Sequence, residues 1–305
     1  MSLRPNPFLL ITILFWGFNF VSIKLINPAE VPAAAVLGFR YGLQWIVLVA
    51  IGLIMRWPIW PRGEHRNRIL LVGLLTMGLY MSFFLIGTVR TRPADSAVIL
   101  ATMPVFTWLF AILFGQDSFH WGRLGSSVVA FGGVALVILG GHHAPGKGTD
   151  FLGDALIFVG GLFWSLGIVI ARPALAGLRP LTFFTQTMPG ALPVVAAVSI
   201  GPLLNVRWNA ISPISWINLT QLVLGSGILA TATYYRGIAD LGAAGATAYQ
   251  FLVPIVAAGF AWLILGQSLV PIQGLGIAIL IGAMLFPRRA ELWQNLRARA
   301  PERAP

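Results

Sequence analysis

Few residues in this 305-residue chain are suited to acid–base or nucleophilic chemistry, and they are poorly placed for it. Cysteine is absent, which removes thiol catalysis, disulfides and cysteine-ligated metals together. The nine acids stand at 30, 64, 95, 117, 150, 154, 240, 291 and 302, between apolar runs or at their ends, with Asp95 and Asp154 close to a run's start. The adjacent His142 and His143 lack a metal-spaced partner, and no G-x-x-x-x-G-K-[ST] stretch offers a nucleotide cradle. We therefore expect no catalytic residue, no metal site and no cofactor. What remains is the chemistry of recognition.

Three aromatic faces carry that chemistry. Trp16, Asn19, Phe20 and Ile23 fall at i, i+3, i+4 and i+7 and share one side of a helix. Tyr80, Phe83, Phe84 and Gly87 repeat the pattern, as do Thr231, Tyr234, Tyr235 and Ile238, while Tyr249 and Gln250 come just ahead of Pro254. Such stripes also serve plain packing. Their hydroxyls and amides, however, need hydrogen-bond partners wherever water is missing, and a wet central cavity would supply them. An aromatic chamber with sparse polar groups suits a ligand with an apolar side chain and a small polar head. Arg40, about nine residues or roughly 13 Å into its helix, adds a charge at depth. It fits a ligand carboxylate, a helix carbonyl end or a snorkelling position, and all three readings stand.

The elements that position these residues follow from composition. A hydrophobic share of 57% against 10% charged residues, with mean hydropathy +0.84, excludes a water-soluble globule. Apolar runs long enough to span a bilayer lie at 7–26, 31–55, 69–88, 94–114, 122–141, 151–171, 181–202, 213–235, 243–266 and 269–287, which predicts an all-α membrane protein of ten spans. The first run is too long for a signal-peptide core and lacks a cleavage site after it, so we keep it as a permanent helix.

The halves repeat. Phe15-Trp16 and Phe163-Trp164, Lys24 and Arg172, and Pro32 and Pro180 are 148 apart. Gly87 and Gly237, Ala94 and Ala244, and Pro104 and Pro254 are 150 apart, and Gly115-Gln116 and Gly266-Gln267 are 151 apart. We divide the chain into a first five-helix repeat at 1–147, a second at 148–287 and a basic tail at 288–305. Five helices per copy is an odd number, so the second copy must be inverted in the membrane, the arrangement that supports alternating access around a midplane site. With the amino end inside, fourteen basic residues face the cytoplasm against five outside, which puts both termini in the cytoplasm. The net charge of +11 then reads as topology and lipid-headgroup contact, and not as nucleic-acid binding. Lys24 and Arg172 read as snorkelling residues near opposite faces. Pro104 and Pro254, mid-span in runs four and nine, should kink their helices as static bends or hinges.

At this point the chain resembles a known family. Phe15 through Lys24, Phe39-Arg40-Tyr41, Asp95-Ser96-Ala97 through Met103-Pro104-Val105-Phe106, and Leu252-Val253-Pro254-Ile255 resemble EamA-type members of the drug/metabolite transporter superfamily. The resemblance covers residues 7 to 287, and within the family the chain looks similar to the YddG-like exporters of aromatic amino acids and methionine. The resemblance implies a ten-helix exporter of the bacterial inner membrane, with a cavity bordered by Trp16, Asn19, Tyr80, Trp164, Tyr234 and Tyr249. The chain departs from the family at Gly115-Gln116 and Gly266-Gln267, where many members carry Gly-Glu.

We therefore expect a carrier for small amphiphiles such as aromatic amino acids, driven by their own gradient. The candidate ligand residues are Trp16, Asn19, Arg40, Tyr80, Phe83, Trp164, Tyr234, Tyr249 and Gln250, with Pro104 and Pro254 as hinges. The expected partners are the small-molecule substrate and the lipid bilayer, with no nucleic acid and no obligatory protein. A proton-coupled antiporter is the alternative within the class. A membrane-embedded enzyme on lipid-linked substrates, or an ion channel, is the alternative outside it; the enzyme would need a nucleophile with its base, and the channel rings of charge or filter loops.

Overall fold

The computed structural model describes residues 5–91, 96, 99–100, 102–141, 151–266, 271–272, 274–279 and 282–283. Among them every regular element is helical, which is how a backbone satisfies its own polar groups in lipid. The helices are α1 (Pro7–Leu25), α2 (Ala33–Ile54), α3 (Arg66–Arg90), α4 (Met103–Leu113), α5 (Trp121–Gly141), α6 (Phe151–Leu175), α7 (Pro180–Leu204), α8 (Pro213–Ala243) and α9 (Gly245–Leu265). Seven of these, all but α4 and α5, are long and apolar enough to cross a membrane. Residues 271–272, 274–279 and 282–283 are helical and fall inside the predicted tenth span. The rest of that span, the repeat boundary at 147, the tail 288–305, Asp95, His142 and His143 lie outside the described residues.

Local chemistry fixes the ends. Pro7, Pro180 and Pro213 occupy the first turn of α1, α7 and α8, where a missing N–H costs no hydrogen bond. The Asn6 side chain accepts from the N–H groups of Phe8 (3.0 Å) and Leu9 (3.2 Å), and Ser212 Oγ accepts from the N–H of Ser215 (3.3 Å). Gly115 and Gly266, equivalent in the two repeats, end α4 and α9 with φ of 65° and 64°, a left-handed cap that glycine adopts without strain.

At Pro104 and Pro254 the helix restarts. Each stands in the first turn of a helix, α4 and the Val253–Leu265 part of α9 respectively, and not inside a continuous one. The break precedes the proline, as a turn at Thr102 and as a 3-10 turn over Tyr249–Leu252. The prolines that do lie within helices are Pro173 in α6 and Pro189, Pro193 and Pro202 in α7. Two further irregularities match in the repeats: a π-helical stretch Leu74–Leu79 in α3 and another, Gln221–Leu229, in α8.

The halves exchange partners. The first helix, α1, packs on α8 and α9; its repeat equivalent, α6, packs on α3 and α4; α2 packs on α7. The same contact is made twice, since Gly87 of α3 meets Ile157 of α6 and Gly237 of α8 meets Leu9 of α1. The Asn6 amide donates to Asp240 (3.1 Å) at one end of α1, and the N–H of Asn27 donates to Ser215 Oγ (3.3 Å) at the other, so α1 and α8 run antiparallel. Thr91 Oγ1 donates to Asp154 (2.6 Å), which sets α3 and α6 antiparallel as well. Because Arg172 of α6 lies beside Gly242, α6 ends on the face where α1 begins, and these repeat-related helices point in opposite senses.

Between α1 and α2, hydrogen bonds from Ser215 and Ser212 hold the Glu30 carboxyl below its usual range. The Ser212 N–H and Oγ both donate to its Oε2, at 3.1 and 3.0 Å, tying this loop to the start of α8.

Where α3 crosses α7 the backbones interlock, because a Cβ on Gly73 would collide with the Thr187 carbonyl and one on Gly190 with that of Leu70. Gly73→Ala should lower stability by about 1–3 kcal/mol through overpacking. Gly122→Ala, where a Cβ meets open space, should cost nothing. Thermal unfolding in detergent checks the pair, and equal melting temperatures would refute the close crossing.

Candidate functional site

The middles of these helices enclose a chamber with about 810 Å³ of space free of atoms, counting the part continuous with solvent. Each helix delivers residues by its periodicity. One face of α1 brings Trp16, Asn19 and Phe20, and α2 brings Arg40, Tyr41 and Gln44. The π-turn of α3 contributes Thr76 and Met77, followed by Tyr80, Met81 and Phe84. Trp164 of α6 and Met103 of α4 add apolar surface, and Thr231 and Gln250 come from α8 and α9.

Trp16 and Trp164, equivalent in the two repeats, meet edge to face with centroids 5.5 Å apart, and Tyr80 packs on Trp164 at 5.1 Å. Phe20 meets Phe84 at 5.9 Å, with Tyr80 against Phe84 at 5.7 Å. The Trp16 indole is oriented by donation from Nε1 to the Ser226 carbonyl (3.1 Å).

The polar set centres on Arg40, which is only 3% exposed. One of its terminal nitrogens donates to Asn19 Oδ1 (3.3 Å), and its carbon Cζ lies 5.7 Å from the Tyr41 ring centroid. Asn19 Oδ1 also accepts from Ser226 Oγ (2.9 Å), so the amide is held by α8 while it faces the guanidinium. Arg40 Nε is buried without a hydrogen-bond partner, and among the described residues no acidic side chain lines the chamber. A cation removed from water calls for an anion or further acceptors. The chamber therefore sets a buried guanidinium with an unpartnered Nε beside an aromatic surface.

Of the candidates drawn from the sequence, Trp16, Asn19, Arg40, Tyr80, Trp164 and Gln250 come together on this lining. Three do not. Tyr234 is fully buried behind it, its ring 4.8 Å from Trp16 and its hydroxyl 2.8 Å from Thr247 Oγ1. Tyr249 turns toward the start of α1, where its hydroxyl accepts from the Asn6 N–H (3.2 Å). Phe83 packs on Phe163 at 5.8 Å. Gln44 and Ser226 were missed. Gln44 stands four residues after Arg40 and so on the same helical face, a signal the sequence carries, whereas Ser226 sits in an unremarkable small-residue run.

Other polar residues serve the ends of the bundle. Arg172 donates to the Gln116 carbonyl (3.0 Å), and the Gln116 side chain donates to the Val169 carbonyl (2.9 Å), so the glutamine at the family-divergent position ties α4 to α6. Among the described residues no three His, Cys, Asp or Glu side chains cluster as a metal site would require.

Comparison with known proteins agrees with this architecture. The model of the EamA-like transporter family matches residues 4–139 and again 151–287. The chain is 25% identical over 304 residues to a Streptantibioticus cattleyicolor protein named "Probable terminal-alkyne amino-acid exporter", covering 97% of each chain. It is 25% identical over 279 residues to the "Uncharacterized inner membrane transporter YedA" of Escherichia coli (strain K12), covering 90% of this chain and 87% of that one. A crystal structure of 15% sequence identity shares the fold, with a TM-score of 0.71 over 94% of this chain and 98% of its own. With two family matches in tandem on a helical frame of membrane-length spans, the chain belongs to the EamA-like transporter family of membrane transporters, within the drug/metabolite transporter superfamily.

Proposed function

We propose that this transporter exports amino acids with apolar side chains, aromatic amino acids and methionine foremost, across a bacterial inner membrane by alternating access. The observation that carries the reading is the buried Arg40 guanidinium, with a free Nε and no acidic neighbour on the lining, in one chamber with the Trp16, Trp164, Tyr80 and Phe84 rings. The carboxylate of the substrate docks on Arg40 and its side chain lies against the rings, where burial contributes about 25 cal/mol per Å² of apolar area. Binding of that strength permits release, which a carrier requires. The relative named as an amino-acid exporter supports the substrate class, and the one named as an inner membrane transporter supports the location. The opposed directions of α1 and α6, and the duplicated contact with exchanged partners, support an inverted repeat with its site between the halves.

Counterflow of labelled phenylalanine in proteoliposomes tests this. Arg40→Gln should reduce phenylalanine flux roughly tenfold or more, the scale of a hydrogen bond to a charged group, and affect the uncharged amide analogue less. Equal losses for both would make Arg40 structural. Tyr80→Leu should raise the half-saturating concentration several-fold, by the apolar area lost, while Phe83→Leu leaves it unchanged. Similar behaviour of the two variants would remove Tyr80 from the site.

A further inference from the structure

Resting on the substrate reading above, the chamber holds a second unfilled valence. Gln44 is 1% exposed and its Oε1 has no hydrogen-bond partner. The other end of its amide is fixed: Nε2 donates to the Val223 carbonyl (3.3 Å) in the π-helical stretch of α8, and it packs so closely on Gly227 that any Cβ there would collide with it. Rotating the amide by half a turn would set its oxygen against the Val223 oxygen, so the donor is committed outward to α8 and the acceptor is left over. A buried acceptor with no donor is costly to the empty site, and a ligand that brings a donor recovers that cost.

Arg40 and Gln44 are four residues apart on α2, which sets their Cβ atoms about 5–6 Å from one another on one helical face. That spacing matches a ligand that carries a carboxylate and an ammonium on one carbon. Among the described residues the lining has no carboxylate to hold an ammonium, so the neutral acceptor takes that role, aided by the faces of nearby rings. We propose that Gln44 is the ammonium-reading residue of the chamber: its Oε1 accepts from the substrate's α-ammonium while Arg40 holds the carboxylate. The site then selects α-amino acids over their deaminated and decarboxylated analogues.

Competition against labelled phenylalanine uptake in proteoliposomes decides it, with unlabelled phenylalanine, phenylpropionate and phenethylamine as competitors. In the unaltered protein phenylalanine should compete roughly tenfold better than phenylpropionate. Gln44→Met, of similar length and without an acceptor, should bring the two within about two- to threefold by weakening phenylalanine alone. Gln44→Glu restores an acceptor and adds charge, so phenethylamine should gain on phenylpropionate. An unchanged preference in Gln44→Met, or an equal weakening of both carboxylates with a lowered melting temperature, would overturn the assignment. Those outcomes leave the transport reading intact. Absence of saturable phenylalanine uptake in the unaltered protein would overturn both.

Discussion

A guanidinium taken out of water must be answered by other groups, and Arg40 donates one side-chain hydrogen bond, to Asn19 Oδ1. Much of the surrounding geometry follows from that demand. Asn19 can face Arg40 because Ser226 anchors the same oxygen from α8, and Trp16, one turn earlier on α1, is held by the Ser226 carbonyl. Gln44 is held by Val223 in the same stretch. The π-helical segment of α8 thus serves as the reference surface on which the polar groups of α1 and α2 are aligned. The charge stays only partly answered, and that residue of demand is what a carboxylate ligand would satisfy.

The frame that delivers these groups is governed by lipid. Without water to accept stray backbone polar groups, the chain crosses as helices, and close approach between them depends on small residues. Gly73 and Gly190 bring α3 and α7 together, while Gly87 and Gly237 make the repeated contact with α6 and α1. Exchange of first helices between the halves has a mechanical consequence. Because α1 is bonded to α8 at both of its ends and α6 to α3 near one, any displacement of one half would carry a helix of the other with it.

The sequence read the frame better than the site, for reasons particular to each residue. Helix starts at Pro7, Pro180 and Pro213 were legible within a residue because the apolar runs begin at 7, 181 and 213, and proline suits a first turn. Trp16 and Trp164 were legible as a pair because the repeat placed them in register. Tyr249 and Gln250, equally polar and adjacent, were not separable by residue type; the 3-10 turn at Tyr249–Leu252 sends the tyrosine to Asn6 and leaves the glutamine on the chamber. Phe83 and Phe84 part in the same way, the first toward Phe163 and the second toward Phe20. Pattern reading at a regular helical period cannot anticipate a π-turn just upstream, as at Leu74–Leu79.

Symmetry in the frame and asymmetry in the lining have different causes. The backbone features recur in both repeats: π-turns, prolines opening a helix, left-handed glycines and the glycine contact on the exchanged helix. The polar equipment does not. At the offset of 148 that relates Trp16 to Trp164, the counterparts of Asn19, Arg40 and Gln44 are Gly167, Met188 and Leu192. A lining that kept the symmetry would offer two equal cationic ends and accept a ligand in either of two orientations. Confining the charge to the first repeat, together with two of the three amides named on the lining, leaves one cationic end, so a ligand with one charged head and one apolar tail has a single favourable pose. Symmetric scaffolding serves the two-sided opening proposed for this protein, and asymmetric side chains let one site read a ligand whose own ends differ.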